Sequence, residues 1–128
     1  MTFSGLHHVA IICSNYSQSK RFYSEILGLK IIAETYRADR DSYKLDLEIP
    51  GGIQIELFSF SSPPQRLSYP ESCGLRHLAF RVNCMDEVVA ELTDQGIPVE
   101  MIRVDETTGK RFTFFADPDG LPIELYED

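Results

Sequence analysis

The sequence predicts an α+β protein built from two tandem βαβββ modules, and three observations predict it. The first is an internal repeat. Leu75-Arg76-His77-Leu78-Ala79-Phe80 echoes Leu6-His7-His8-Val9-Ala10-Ile11 at an offset of 69 residues, and Leu121-Pro122-Ile123-Glu124-Leu125-Tyr126 echoes Ile53-Gln54-Ile55-Glu56-Leu57-Phe58 at an offset of 68. A fixed offset at both ends of a segment marks a duplicated structural unit. The second observation is periodicity, since each half carries one stretch of helical spacing among several stretches that alternate or run apolar. The third is punctuation, with Gly, Pro and Asp turn signals at matching places in the two halves.

The elements follow in order. Leu6 to Cys13 is apolar and β-branched, as a buried strand requires. Asn15-Tyr16-Ser17 supplies capping oxygens, and Ser19, Phe22, Tyr23, Ile26 and Leu27 fall on one helical face closed by Gly28. Three strands are expected next, over 30–37, 42–49 and 53–59, with Pro50-Gly51-Gly52 turning between the last two. The second half repeats the order. A strand is expected from His77 to Val82, then a helix with Met85, Val88, Val89 and Leu92 inward and Gly96 at its end. Strands over 99–104, 111–116 and 121–126 follow, with Asp117-Pro118-Asp119-Gly120 as the tight turn. The chain thus reads as a single domain over 1–128, with modules at about 5–59 and 75–127 and a Ser- and Pro-rich linker over 60–74. Two curved four-stranded sheets of this kind can pair to form a cleft.

Strand alternation selects the candidate site. Glu56 shares a face with Gln54 and Phe58, opposite Ile53, Ile55 and Leu57. Glu124 shares one with Pro122 and Tyr126, opposite Leu121, Ile123 and Leu125. His8 lies with Ala10 and Ile12, and His77 with Ala79 and Arg81, each away from an aliphatic row. The gap is 48 residues from His8 to Glu56 and 47 from His77 to Glu124. A carboxylate inside a sheet is costly unless a partner or ion compensates. Two imidazoles and two carboxylates at matching positions therefore form a candidate divalent-metal set: His8, Glu56, His77 and Glu124.

Charge and cysteines bound the setting. The chain has 12 basic and 20 acidic residues, a formal net charge of −8, which argues against nucleic acid and anionic membrane surfaces as partners. A local arginine cluster can still take a small anion. Cys13, Cys73 and Cys84 are odd in number and widely spaced, which points to a reduced, cytoplasmic chain. The N-terminus lacks the basic start and long apolar stretch of a secretion signal.

Taken together, His8-Val9-Ala10-Ile11, Phe22-Tyr23, Leu27-Gly28-Leu29, Ile55-Glu56-Leu57, His77-Leu78-Ala79-Phe80, Asp117-Pro118-Asp119-Gly120 and Ile123-Glu124-Leu125-Tyr126 resemble the vicinal oxygen chelate superfamily. The likeness is greatest to its small bacterial glyoxalase I-like members and spans about residues 5 to 127. It implies the glyoxalase/bleomycin resistance/dihydroxybiphenyl dioxygenase fold. It also implies one divalent metal ion (Zn, Ni, Co, Mn or Fe) held by His8, Glu56, His77 and Glu124. His7 is the rival to His8, but only His8 aligns with His77, and His7 is expected on the opposite strand face.

The implied activity is that of a metal-dependent lyase or isomerase. Its substrate would be a small molecule with vicinal oxygens, passing through an enolate-like intermediate stabilised by a Lewis acid. Glu56 or Glu124 would move the proton, with Glu124 the marginal choice. The resemblance also covers dioxygenases, thiol transferases of the antibiotic-resistance type and non-enzymatic ligand-binding proteins. Dioxygenases and transferases mostly use two His and one Glu, and the bleomycin-binding members lack the ligands, so the intact four-residue set favours the lyase or isomerase. Several members complete their sites across a dimer, so a homodimer is expected.

For the substrate, the basic residues to consider are Arg37, Arg40, Lys44, Arg76, Arg103, Lys110 and Arg111. Arg37, Arg40, Lys44 and Arg111 are the chosen contacts. The charge-dense stretch 37–44 reads either as a solvated hairpin with weak ion pairs or as an anion clamp.

Overall fold

Each expected strand–helix–strand series forms, and each closes on a pairing between its own first and last strands. The computed structural model describes residues 1–128. These divide into two compact units, Met1–Pro64 and Gln65–Asp128, with the division falling inside the expected linker. No helix is long and apolar enough to cross a membrane.

In the first unit, β1 (His8–Cys13) leads into α1 (Tyr16–Arg21), which continues as a π-helical turn, Phe22–Ile26. Then come β2 (Lys30–Arg37), β3 (Ser42–Glu48) and β4 (Gln54–Ser59). The sheet order is β1-β4-β3-β2, with β1 and β4 parallel and the other pairs antiparallel. The Asn15 side chain accepts from the Gln18 N–H at 3.1 Å, the cap that the sequence announced.

The helix is not the uniform one that the apolar spacing suggests. Ser24 Oγ donates to the Lys20 carbonyl at 2.6 Å, competing with the backbone for that acceptor. Leu27 N–H reaches back five residues, to the Phe22 carbonyl at 2.9 Å. Gly28, at φ +70°, then takes the left-handed position that ends the helix. Of the expected face, Ser19, Phe22 and Tyr23 are buried, as are Ile11, Cys13, Leu45, Leu47, Ile55 and Leu57 of the sheet, while Ile26 and Leu27 are half-buried.

In the second unit, β5 (Leu78–Val82), α2 (Met85–Asp94), β6 (Arg103–Val104), β7 (Arg111–Ala116) and β8 (Pro122–Glu127) give the order β5-β8-β7-β6, again with first and last strands parallel. Met85 and Leu92 are buried beside the inward row Leu121, Ile123 and Leu125. The strand expected over 99–104 is shortened to two residues. Pro98 opens the segment without an N–H to offer. Between Pro98 and β6 the chain is tied to β7 at Glu100, whose N–H donates to the Phe114 carbonyl and whose carbonyl accepts from Thr113 Oγ1.

Two turns set where the last strands begin. In the first unit, Ile49 N–H donates to the Ile53 carbonyl at 2.8 Å. In the second, Asp117 N–H donates to the Leu121 carbonyl at 3.0 Å, and Asp117 Oδ1 accepts from the N–H groups of Asp119 and Leu121, both at 2.9 Å.

Candidate metal centre

Parallel pairing of first and last strands is what brings each histidine to its glutamate. In the first unit Ala10 is the cross-strand partner of Glu56, and His8 stands one step along the same face. In the second, Ala79 pairs with Glu124, and His77 stands just before β5, its ring against that carboxylate. His8 Nδ1 lies 3.0 Å from Glu56 Oε2, and His77 Nε2 lies 3.0 Å from Glu124 Oε2. The same pair thus recurs in both units. The glutamate side chains are only 11% and 15% exposed, whereas His8 and His77 keep 41% and 25%.

The surroundings of the two carboxylates differ. Asp46 pairs with Glu56 across β3 and β4, and Lys44 Nζ sits 3.3 Å from Asp46 and 3.4 Å from Glu56. Burial works against the Lys44 charge, but the Asp46 and Glu56 carboxylates outweigh it and hold its pKa above the ordinary lysine value. Glu124 has Phe114 in the equivalent cross-strand place, and His77 is its ion-pair partner. The His77 ring meets Phe114 edge-on at 5.1 Å between centroids.

On its other side, His77 Nδ1 lies 3.1 Å from Arg76 Nη1. A guanidinium only donates, so Nδ1 is the acceptor at this contact.

His7 departs from the expectation of an opposite face. The β1 ladder begins at His8, so strand alternation does not govern His7, whose carbonyl instead accepts from Gln54 N–H at 3.0 Å. Its Nδ1 lies 2.8 Å from His8 Nδ1. Ligand-capable atoms of His7, His8 and Glu56 all fall within 4.8 Å of one another.

The basic candidates occupy varied positions. Arg37 lies over the rings of Phe58, at 4.8 Å, and Phe60, at 5.9 Å, and its Nη2 donates to Ser42 Oγ at 2.8 Å. Lys44 is beside Glu56. Arg40 is exposed in the β2–β3 turn, near Asp39. Arg111 is held by Glu127, at 2.7 and 2.8 Å, and by Asp86, at 3.2 and 3.3 Å. The sequence reading missed Asp46 and Arg66. The register of β3 against β4 could have pointed to Asp46; nothing local marked Arg66.

The donors suit a divalent ion. Bonds of about 2.1 Å to N and O ligands at right angles leave those ligand atoms about 3.0 Å apart, which is the His-to-Glu spacing in each unit. An imidazole with a carboxylate, as in each pair, is a borderline-to-hard donor combination suited to Zn, Ni, Co, Mn or Fe(II).

Such a fold, with a histidine at the start of each first strand and a glutamate on each last strand, defines a class. The model of the Glyoxalase/Bleomycin resistance protein/Dioxygenase superfamily matches residues 5–125, and the chain belongs to that family. It is 58% identical over 127 residues to the uncharacterized protein YwkD of Bacillus subtilis (strain 168), covering 99% of each chain. It is 57% identical over 122 residues to the uncharacterized protein YaeR of Escherichia coli (strain K12), covering 95% of each. The crystal structure of the glyoxalase family protein from Enterococcus faecalis matches with a TM-score of 0.92 and 51% identity, over 99% of this chain and 100% of that one. Relatives at 25 to 29% identity include a 2-epi-5-epi-valiolone epimerase, a metallothiol transferase, a glyoxylase I and a putative ring-cleaving dioxygenase.

Proposed function

We propose that the protein is a divalent-metal-dependent lyase or isomerase of the glyoxalase I-like type. It would act in the cytoplasm as a homodimer on a small molecule with neighbouring oxygens. His8, Glu56, His77 and Glu124 would hold one ion per chain. The observation that carries the reading is the recurrence of the His–Glu pair at 3.0 Å in both units. The bound ion would supply Lewis-acid polarisation to the substrate's paired oxygens.

The chain's own residues divide the remaining work. Glu124 is the favoured proton acceptor. Glu56 shares the Lys44 charge with Asp46, while Glu124 carries no lysine or arginine ion pair and lines an open cleft of about 920 Å³. Phe112 and Phe114 line that cleft, and Phe114 stands opposite Glu124 across β7 and β8. Lys44 and Arg37 are the nearer substrate contacts of the first unit, with Arg40 at the hairpin tip. Arg111, with its donors engaged by Asp86 and Glu127, would contribute by holding β7 in place.

Metal content of untagged protein, measured by elemental mass spectrometry beside His8→Ala, tests the reading. About one equivalent of a transition metal, lost in the variant, is expected. Failure to take up any of Zn, Ni, Co, Mn or Fe(II) would overturn it in favour of simple ligand binding.

A further inference from the structure

The cleft that Glu124 lines lies wholly in the second unit, and its lining includes Arg66, Arg76 and Arg103. In a chain with 20 acidic and 12 basic residues, arginines usually find carboxylates. Arg103 does, at 3.1 Å from Glu100, while also lying over Phe112 and Phe114 at 5.0 and 5.7 Å. Arg66 and Arg76 do not. Arg66 Nη2 donates to the carbonyls of Leu75, at 3.2 Å, and Arg76, at 2.7 Å, and its buried Nε has no hydrogen-bond partner. Arg76 contacts His77 rather than an acid.

Glu71, Glu100, Asp119 and Glu124 also line this cleft, but none of them pairs with Arg66 or Arg76. Two guanidiniums without an ion-pair partner, lining one cleft with Phe112 and Phe114, can receive an oxyanion on an unsaturated carbon frame. The carbonyl bonds of Arg66 fix one fork in position. A guanidinium offers five N–H groups, so donors remain for a ligand. A volume of about 920 Å³ admits a small organic molecule.

We propose that the substrate is a small organic anion, its carboxylate or phosphate held by Arg66 and Arg76 and its carbon frame laid along Phe112 and Phe114. This places the reacting carbons beside Glu124. The substrate assignment rests on the catalytic reading above; the oxyanion subsite itself does not.

Calorimetric titration of the full chain with benzoate and with phenyl phosphate tests the subsite, with neutral benzyl alcohol as the comparison. The two anions separate carboxylate from phosphate preference. At least one of them is expected to bind more tightly than benzyl alcohol, more weakly as salt rises, and about tenfold or more weakly in Arg66→Gln and Arg76→Gln. Arg21→Gln, on the exposed side of α1, is expected to leave binding unchanged. Circular dichroism identifies any variant that has lost its fold, and Arg76→Gln, at an exposed position, then carries the comparison alone.

Equal affinity for benzyl alcohol, or unchanged oxyanion affinity in Arg76→Gln, would overturn the proposal. Metal content of the same preparations keeps the two readings apart. A metal-free protein with arginine-dependent oxyanion binding retains the subsite and loses the catalytic reading. A metal-loaded protein whose oxyanion affinity ignores Arg76 retains the catalytic reading and loses the subsite.

Discussion

Replacing Glu56 by glutamine separates the metal role of this carboxylate from its structural one. Glutamine keeps the shape and an amide oxygen that His8 can still use. Lys44, which lies 3.4 Å from Glu56, also lies 3.3 Å from Asp46 and so remains paired. The expected loss of stability is therefore at most about 1 kcal/mol, the scale of a partly exposed ion pair, or a few degrees in Tm for a domain of this size. Metal affinity should respond far more. Disturbing a residue that merely supports a ligand costs about 10- to 100-fold, so removing an anionic ligand should cost more than about 100-fold. Thermal melting by circular dichroism gives the first quantity, and elemental mass spectrometry after dialysis against a fixed metal concentration gives the second. Full occupancy in Glu56→Gln would refute the ligand assignment. A collapse of the melting transition would show that the carboxylate is structural.

Two further outcomes follow from the same geometry. His7→Ala should leave metal content unchanged, because the matched His8 and His77 complete the set; loss of metal on elemental analysis would bring His7 into the site beside His8 and Glu56. The Arg111 hydrogen bond holds the Glu127 carboxyl below its ordinary pKa, against a smaller opposing effect of burial. Glu127 therefore contributes stability above the unfolded carboxylate range that is lost as pH falls through the folded value. Arg111→Gln should flatten that acid limb of the stability curve, and denaturant melts from pH 6 down to about pH 3 would read it; an unchanged limb would contradict the ion-pair reading.

Much of this architecture was legible in the sequence because it rests on short-range patterns. The duplicated His- and Glu-bearing strands, the Asn15 cap and the glycine stops are local signals, and they gave the element order and the faces of Glu56 and Glu124. What was not legible depended on competition or on register. The π-helical turn arises because Ser24 takes the Lys20 carbonyl, which apolar spacing does not reveal. The strand expected over 99–104 shrank because only Glu100 is tied to β7 along most of that length. Alternation misplaced His7, since a residue outside the ladder need not obey it. Arg66 was invisible because its partners are main-chain carbonyls nine and ten residues away.

The two turns that start β4 and β8 carry a consequence for how this protein can change length. Glu56 lies three residues after Ile53, whose carbonyl closes one turn, and Glu124 three after Leu121, which closes the other. One residue inserted within either interval, unless expelled as a bulge, would turn the glutamate into the core and the aliphatic row outward. Two inserted residues would restore the faces but slide the glutamate along its histidine-bearing neighbour. The core and the site are thus written in one reading frame of period two. Length variation is excluded from those intervals and displaced to the turn tips, where added residues alter neither parity nor pairing.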